Sequence, residues 1–164
     1  MKGKTVKSSR IVMSHVMQPE DANTAGIAHG GVVMKQIDDA AGAVAIRHAR
    51  RIAVTASIDR LDFHYPVYIG NLLVVKASLN LAGRTSMEIG VRVEAEDLLT
   101  GEIKHTASAY LTFVALDDHS KPAPVPPLIL EDEEEVRRNR EARERKQIRL
   151  AEKKIPKECL PPLD

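Results

Sequence analysis

The segment from Asp21 to Gly31, DANTAGIAHGG, holds the residue types and spacing best suited to chemistry. Its last two residues, Gly30 and Gly31, stand directly before an apolar pattern of helical spacing. The first N–H groups of a helix lack intrahelical partners and lie at the positive end of its dipole, so they can bind a carbonyl oxygen that becomes negative. Glycine permits that approach because it has no Cβ. A tight loop that enters a buried helix would have the same composition.

Two adjacent carboxylates, Asp38 and Asp39, lie about two turns into the predicted helix. Alanine and valine dominate the apolar face of this helix, where a carboxylate is costly to bury without a partner. An aspartate that faces a cleft could act as general base on a water molecule or attack directly as a nucleophile. A helix edge that reaches solvent would also explain both residues.

Three further residues are candidates for contacts with a substrate. His29 is next to Gly30 and could contact a ligand or simply anchor the loop. Arg84 and Ser86 follow a glycine turn at the start of a predicted strand. The guanidinium fork of an arginine suits a phosphate, although ordinary turn chemistry also places an exposed arginine at such a position.

Several common catalytic patterns are missing from the sequence. The six histidines and the single cysteine do not have metal-ligand spacing, so we expect no zinc site. No serine stands in a G-x-S-x-G motif, and the chain has neither a P-loop nor a dinucleotide-binding glycine pattern. We therefore expect a site that contains neither a metal nor a resident cofactor.

The spacing of apolar residues predicts one long helix and a set of strands. Val33, Ile37, Ala40, Ala41 and Val44 share one helical face, which predicts a helix from Gly31 to about Arg50. Strands are predicted over residues 5–17, 52–58, 61–65, 72–82, 87–95 and 103–116. Short turns between consecutive strands favour antiparallel pairing. The sequence therefore predicts an α+β domain in which the sheet wraps around the helix.

The C-terminal part of the chain has a different composition. We predict a domain over residues 1–119, a stiff proline-rich linker over 120–130 and a charged helical tail over 131–164. The tail is acidic at its start and basic afterwards, which favours a solvated or subunit-bridging helix. Cys159 lies near its end and is expected to be inert.

Bulk composition excludes several classes of protein. The 164 residues carry a formal net charge of +1, which argues against nucleic acid or an anionic membrane as a partner. One cysteine permits no intrachain disulfide, and the basic start is not followed by the apolar run of a secretory signal. No stretch approaches the ~20 apolar residues that a membrane helix needs. We therefore expect a cytoplasmic protein.

A longer motif resembles a known family. Asn23-x-x-Gly26-x-x-His29-Gly30-Gly31, followed by Met34-Lys35-x-Ile37-Asp38-Asp39-x-Ala41-Gly42, is similar to the hotdog-fold acyl-CoA hydrolases. These include bacterial YciA-type enzymes and the two-domain mammalian cytosolic acyl-CoA hydrolase. The likeness continues through residues 54–59, 63–64, 86–89 and 107–109, and it covers roughly residues 10–155.

The resemblance implies an activity and a set of site residues. It implies hydrolysis of a fatty acyl-CoA without a metal, in dimers with a continuous sheet that commonly assemble as trimers of dimers. The catalytic residues would be Asn23 from one subunit and Asp38 from the other, with Asp39 secondary. Contacts with the substrate would come from a set of five residues: His29, Gly30, Gly31, Arg84 and Ser86.

Two other functions on the same fold remain open at this point. One is a non-catalytic acyl-CoA-binding or regulatory protein, because fold does not fix function. The other is a hydroxyacyl-thioester dehydratase, which would need a base near the α-carbon of the substrate. His29 is the only candidate for that base, and the pairing of Asn23 with Asp38 argues against it.

Overall fold

A computed structural model describes residues 1–152 of the chain. Cys159 and the end of the predicted tail therefore lie outside the described residues. The elements are β1 (Lys4–Thr5), a 3-10 turn (Val6–Ser8), β2 (Ile11–Val16), a 3-10 turn (Pro19–Asp21), α1 (Gly30–Ala49), β3 (Ala53–Phe63), β4 (Leu72–Ala82), β5 (Ser86–Glu96), β6 (Ile103–Ala115), β7 (Leu128–Ile129) and α2 (Glu133–Glu152).

The long helix α1 lies within one residue of its predicted bounds. It ends where Arg50 adopts a left-handed conformation at φ 55°, and the Arg50 N–H caps the last turn by donating to the Ile46 oxygen. Five residues of the predicted apolar face are buried: Val33, Ile37, Ala40, Ala41 and Val44. The alanines have no exposed surface, and their small size lets α1 pack closely on the sheet. The predicted central helix is confirmed.

A five-stranded antiparallel sheet in the order β2-β4-β5-β6-β3 covers α1. Strands β4, β5 and β6 form the predicted meander. Alternate residues of β5 face the helix and are buried: Met87, Ile89, Val91, Val93 and Ala95. This alternation follows from the period of two in a strand. The residues between them face the opposite side of the sheet.

β3 differs from its prediction in two ways. We predicted two strands, over 52–58 and 61–65, but the structure has one strand with bulges between Thr55 and Ser57 and between Ile58 and Arg60. The gap between the two predicted strands, Asp59 and Arg60, lies at the second bulge. The strand also leaves the meander order and pairs with β6 at the far edge of the sheet. β3 is therefore an edge strand.

α2 is solvated over most of its surface, as predicted, but one side of it packs on the domain. α2 packs on the outer face of the sheet, opposite α1, where Ala142 is fully buried. The Asn139 amide donates to the Asn80 oxygen at 2.7 Å. Arg145 donates to Glu88 Oε1 at 2.7 Å, and Glu88 is itself buried. The helix looks solvated in the sequence because its buried contacts are mostly polar.

The proline-rich segment is extended, as predicted, but it packs against the domain. Ala123 and Val125 are buried, and β7 pairs in parallel with β1. His48, at the end of α1, has no exposed surface, and its Nε2 lies 2.9 Å from the Pro126 oxygen. Nε2 must donate in this contact, since a carbonyl oxygen only accepts. This hydrogen bond attaches the proline-rich segment to α1.

We expect His48 to make stability depend on pH. Burial lowers the pKa of His48 from its ordinary value of 6.5. Below pH 6.5 the unfolded chain therefore binds a proton that the folded chain resists, so the free energy of unfolding falls as the pH falls. Urea unfolding at pH 8.0, 6.5 and 5.5 measures this loss. His48→Gln keeps a donor for Pro126 and removes the titration, so an equally steep loss in this variant would contradict the assignment.

No helix among the described residues is long and apolar enough to cross a membrane.

Candidate functional site

The loop before α1 holds Asn23 in a fixed orientation. Its Oδ1 accepts hydrogen bonds from the N–H groups of Ala25 at 2.9 Å and Ile27 at 3.4 Å. Its own N–H donates to the Ile27 oxygen at 2.8 Å, and Gly26 supports the turn at φ 76°. Within residues 1–152 no group accepts from the Asn23 side-chain NH2. That donor is therefore available to a ligand.

Asp21 anchors the same loop from its other end. Its carboxylate accepts from the Gln18 N–H at 2.8 Å and lies 3.0 Å from His15 Nε2. The pKa of Asp21 is lowered mainly by the hydrogen bond from the Gln18 N–H and, second, by the hydrogen bond with the His15 side chain. The backbone carbonyl oxygen of Asp21 accepts a hydrogen bond from the His29 N–H at 2.7 Å. These contacts connect the start of the loop to the start of α1.

Asn23 and Gly30 line an open cleft of about 400 Å³. The other side chains around it are mainly apolar and come from the loop, α1, the end of β3 and the segment after it: Ile27, Ala28, Val33, Phe63, His64, Tyr65, Pro66 and Val67. A cleft with an apolar wall and few polar donors is typical of a site for a largely apolar ligand.

The two glycines at the start of α1 differ in what their N–H groups do. The Gly31 N–H donates to His29 Nδ1 at 2.9 Å, so His29 caps the helix. The prediction that both N–H groups are accessible is therefore wrong for Gly31. For the Gly30 N–H, the described part of the chain supplies no acceptor. A Cβ on Gly30 would meet only the Phe63 ring, at 3.8 Å. Gly30 thus presents one open donor to the cleft.

The structure distinguishes the two aspartates of α1. Asp38 is half-buried, and its Oδ1 accepts from Thr55 Oγ1 at 2.7 Å. Asp39 is exposed and pairs with Lys35 at 2.5 Å. Asp38 therefore faces the edge strand β3, whereas Asp39 faces solvent. Thr55 was not a candidate from the sequence, although it lies in the stretch 54–59 that resembles the family.

Asn23 and Asp38 do not meet within one chain. Asp38 is absent from the lining of the Asn23 cleft. It lies eight residues beyond Gly30, which is about 12 Å along the helix axis at 1.5 Å per residue. A site that used both side chains on one substrate would therefore need residues from a second copy of the chain.

Arg84 and Ser86 lie at another place in the fold. Arg84 belongs to the connection between β4 and β5, Ser86 is the first residue of β5, and neither lines the Asn23 cleft. Arg84 is exposed. Ser86 pairs with Val114, which pairs with Val54 next to Thr55. Ser86 is therefore about 10 Å from the end of β3 that carries Thr55.

Residues 1–152 contain no group of three or more His, Cys, Asp or Glu side chains that could hold a metal ion.

Known proteins resemble this chain over most of its length. Residues 25–102 match the family model of the thioesterase superfamily. The acyl-CoA thioester hydrolase YkhA of Bacillus subtilis is 42% identical over 130 residues, which is 79% of this chain and 76% of that protein. The chain belongs to the thioesterase superfamily. Its α+β hotdog fold, predicted from the sequence, is thereby confirmed.

Solved structures of the superfamily agree with this chain in fold. An apo-hexameric acyl-CoA thioesterase superposes with a TM-score of 0.91 and 38% identity, covering 95% of this chain and all of that one. The acyl-CoA hydrolase of Staphylococcus aureus, solved with butyryl coenzyme A and coenzyme A, gives 0.85 and 35%, covering 92% of each chain. Structures of that hydrolase also exist with alanine in place of an aspartate, an asparagine or a threonine.

Proposed function

We propose that this thioesterase-superfamily protein hydrolyses acyl-CoA, releasing a carboxylic acid and the thiol of coenzyme A. The observation that carries the proposal is the set Asn23, Asp38 and Thr55. The asparagine, aspartate and threonine replaced in the Staphylococcus aureus hydrolase have the same spacing along their chain as these three residues. In this chain Thr55 donates directly to Asp38.

The geometry of these residues supports a role for each. Thr55 holds Asp38 Oδ1, which leaves Oδ2 to accept a proton from water or to attack the carbonyl carbon. The free NH2 of Asn23 and the open N–H of Gly30 donate to the thioester oxygen as it becomes negative. The leaving thiol has a pKa of about 8.5, like free cysteine, so a strong general acid is not required.

A complete site needs two subunits, because Asn23 and Asp38 are separated within one chain. The edge strand β3 supplies a surface for pairing. Three apolar side chains on it are exposed by 43–49%: Val54, Ile58 and Phe63. Pairing of β3 with its copy would bury them and continue the sheet. The similarity to a hexameric thioesterase supports assembly as a trimer of such dimers.

Mixing two inactive variants tests the shared site. Asn23→Ala and Asp38→Ala are each expected to be inactive. After subunit exchange, half of the dimers contain one chain of each kind, and each of these has one intact site of two. We expect about a quarter of the wild-type rate. A mixture of Asn23→Ala with the double variant Asn23→Ala/Asp38→Ala serves as control, since it can form no intact site. No recovery in the first mixture would place both residues in one subunit's site.

The activity itself is tested with a series of substrates. Acyl-CoAs from acetyl to palmitoyl are mixed with the protein, and free thiol is followed with a chromogenic disulfide. Release of thiol from any of them is the expected result, and the series gives the chain-length preference. If no substrate is hydrolysed, the proposal fails and a non-catalytic acyl-CoA-binding protein becomes the better interpretation. The dehydratase alternative is weakened, because its candidate base, His29, already accepts a hydrogen bond at Nδ1 from the Gly31 N–H.

Two finer predictions remain from the sequence. Arg84, which is exposed, and Ser86 are proposed to contact the phosphates or pantetheine of coenzyme A near the Thr55 end of the sheet. The location of the protein in the cytoplasm also stays a prediction.

A further inference from the structure

A groove of about 420 Å³ lies beside α2 on the outer face of the sheet and is lined by residues of both. It lies on the side opposite α1, so the sheet itself stands between this groove and the Asn23 cleft of the same chain. Six cationic side chains line it: Arg10, Lys76, Arg92, Arg137, Arg138 and Arg145. The proposed hydrolysis uses none of them.

The groove forms where the outer face of the sheet carries small residues. Ser78 pairs with Gly90 on β4 and β5, and Ser108 lies on β6 opposite Arg92. A Cβ on Gly90 would lie 2.6 Å from Asn80 Nδ2, so a larger residue there would displace the Asn80 side chain. These small residues leave space between the sheet and the part of α2 that carries Arg137, Arg138 and Arg145.

Positive charge is in excess around the groove. Among residues 1–152, one carboxylate, Glu141, is part of the lining. Neighbouring carboxylates pair with the cations from outside the groove: Glu94 with Lys76 and Arg92, Glu134 with Arg137 and Arg138, and Glu88 with Arg145. Six cations and four carboxylates leave an excess of two charges. Among residues 1–152, Arg10 has no carboxylate partner. Converging like charges raise the local potential and favour a bound anion.

The cations approach the floor from both sides. Arg138, from α2, extends to Ser78 Oγ at 3.5 Å. Arg92, from the sheet, stands beside Ser108 on the neighbouring strand. Arg145 lies over the Tyr110 ring at 3.7 Å and forms a flat wall. Guanidinium groups bind phosphate oxygens in pairs and also stack on planar rings.

We propose that this groove is a second binding site, for a small molecule that carries a diphosphate. The excess of two charges matches such a group, and a volume of about 420 Å³ leaves room for an organic part beside the Arg145 wall. The diphosphate could belong to a free nucleotide or to a coenzyme A molecule other than the one bound for hydrolysis on the α1 side. The proposal does not depend on the hydrolase activity.

Calorimetric titration of the full chain with inorganic pyrophosphate tests the site. We expect binding that weakens as salt rises from 50 to 200 mM, because screening reduces charge attraction. Arg92→Gln and Arg138→Gln should each weaken it at least tenfold, and their former partners Glu94 and Glu134 keep another cation. Lys104→Gln is the matched control, since it removes one exposed charge outside the groove and should bind like the wild type.

Further arms locate the site and identify the source of the diphosphate. Ser108→Leu fills the floor without a change of charge and should also abolish pyrophosphate binding. Displacement of pyrophosphate by adenosine diphosphate in the Asn23→Ala variant would indicate a nucleotide ligand, and displacement by coenzyme A alone would indicate coenzyme A. No binding of pyrophosphate to the wild type would overturn the proposal. So would binding that survives Arg92→Gln, Arg138→Gln and Ser108→Leu.

Discussion

Replacement of Asp38 by alanine is expected to lower kcat/KM for acyl-CoA hydrolysis by about 10³-fold or more. Asp38 is the one carboxylate of α1 that faces the edge strand, and Thr55 holds one of its oxygens at 2.7 Å. A positioned general base contributes about 10²–10⁴-fold, and a carboxylate nucleophile is at least as essential. The substrate is bound by other groups, so most of the loss should appear in kcat.

Initial rates of thiol release measure this effect, with two variants for comparison. Asp39→Asn removes the exposed neighbouring carboxylate, which pairs only with Lys35, and should retain nearly full activity. Thr55→Val removes the donor but keeps the shape, so we expect an intermediate loss of about tenfold. If Asp38→Ala retains activity while Asp39→Asn loses it, the catalytic carboxylate is Asp39.

Replacement of Arg145 by methionine is expected to destabilise the fold by about 3–5 kcal/mol. Glu88 is 2% exposed, and its Oε1 accepts two hydrogen bonds from Arg145. Glu88 Oε2 is buried and has no partner among the described residues. Without Arg145 the carboxylate would lose its cation and keep the cost of burial. The same change removes the contact that holds the second half of α2 on β5.

Urea unfolding of Arg145→Met measures this loss. The double variant Arg145→Met/Glu88→Gln should recover part of the stability, because it no longer buries an unpaired charge. Arg137→Gln, which breaks only exposed pairs on the same helix, should leave the unfolding midpoint unchanged. If Arg145→Met is as stable as the wild type, the Arg145–Glu88 pair does not fix α2 on the sheet.

The central helix and the meander were predictable because each has one dominant periodicity. The apolar face of α1 repeats at helical spacing, and β4 and β5 alternate between core and outer face. β3 has neither property, since it lies at an edge and carries two bulges. The burial of α2 was unpredictable for a different reason. Its partners on the sheet are Asn80 and Glu88, and a polar interface leaves no apolar stripe in the sequence.

The sequence was enough to propose residues for the candidate site, but not to predict their geometry. Asn23, Gly30 and Asp38 were identified by motif, and their orientation depends on contacts that spacing does not reveal. The His29 ring turns back onto the start of α1, where its Nδ1 accepts a hydrogen bond from the Gly31 N–H. Thr55 reaches Asp38 from a strand 17 residues away, which only the packing of β3 against α1 brings about.

β3 is synthesised before β6, the strand with which it pairs. Ala53 pairs with Ala115 and Phe63 with Ala107, so β6 leaves the ribosome about 50 residues later, several seconds at about 5–20 residues per second. Pairing between segments so far apart is slow, and both edges of β3 stay open meanwhile. Pairing with β6 leaves β3 with one free edge, to which a second copy would add. Assembly into the proposed dimer would therefore follow the synthesis of β6.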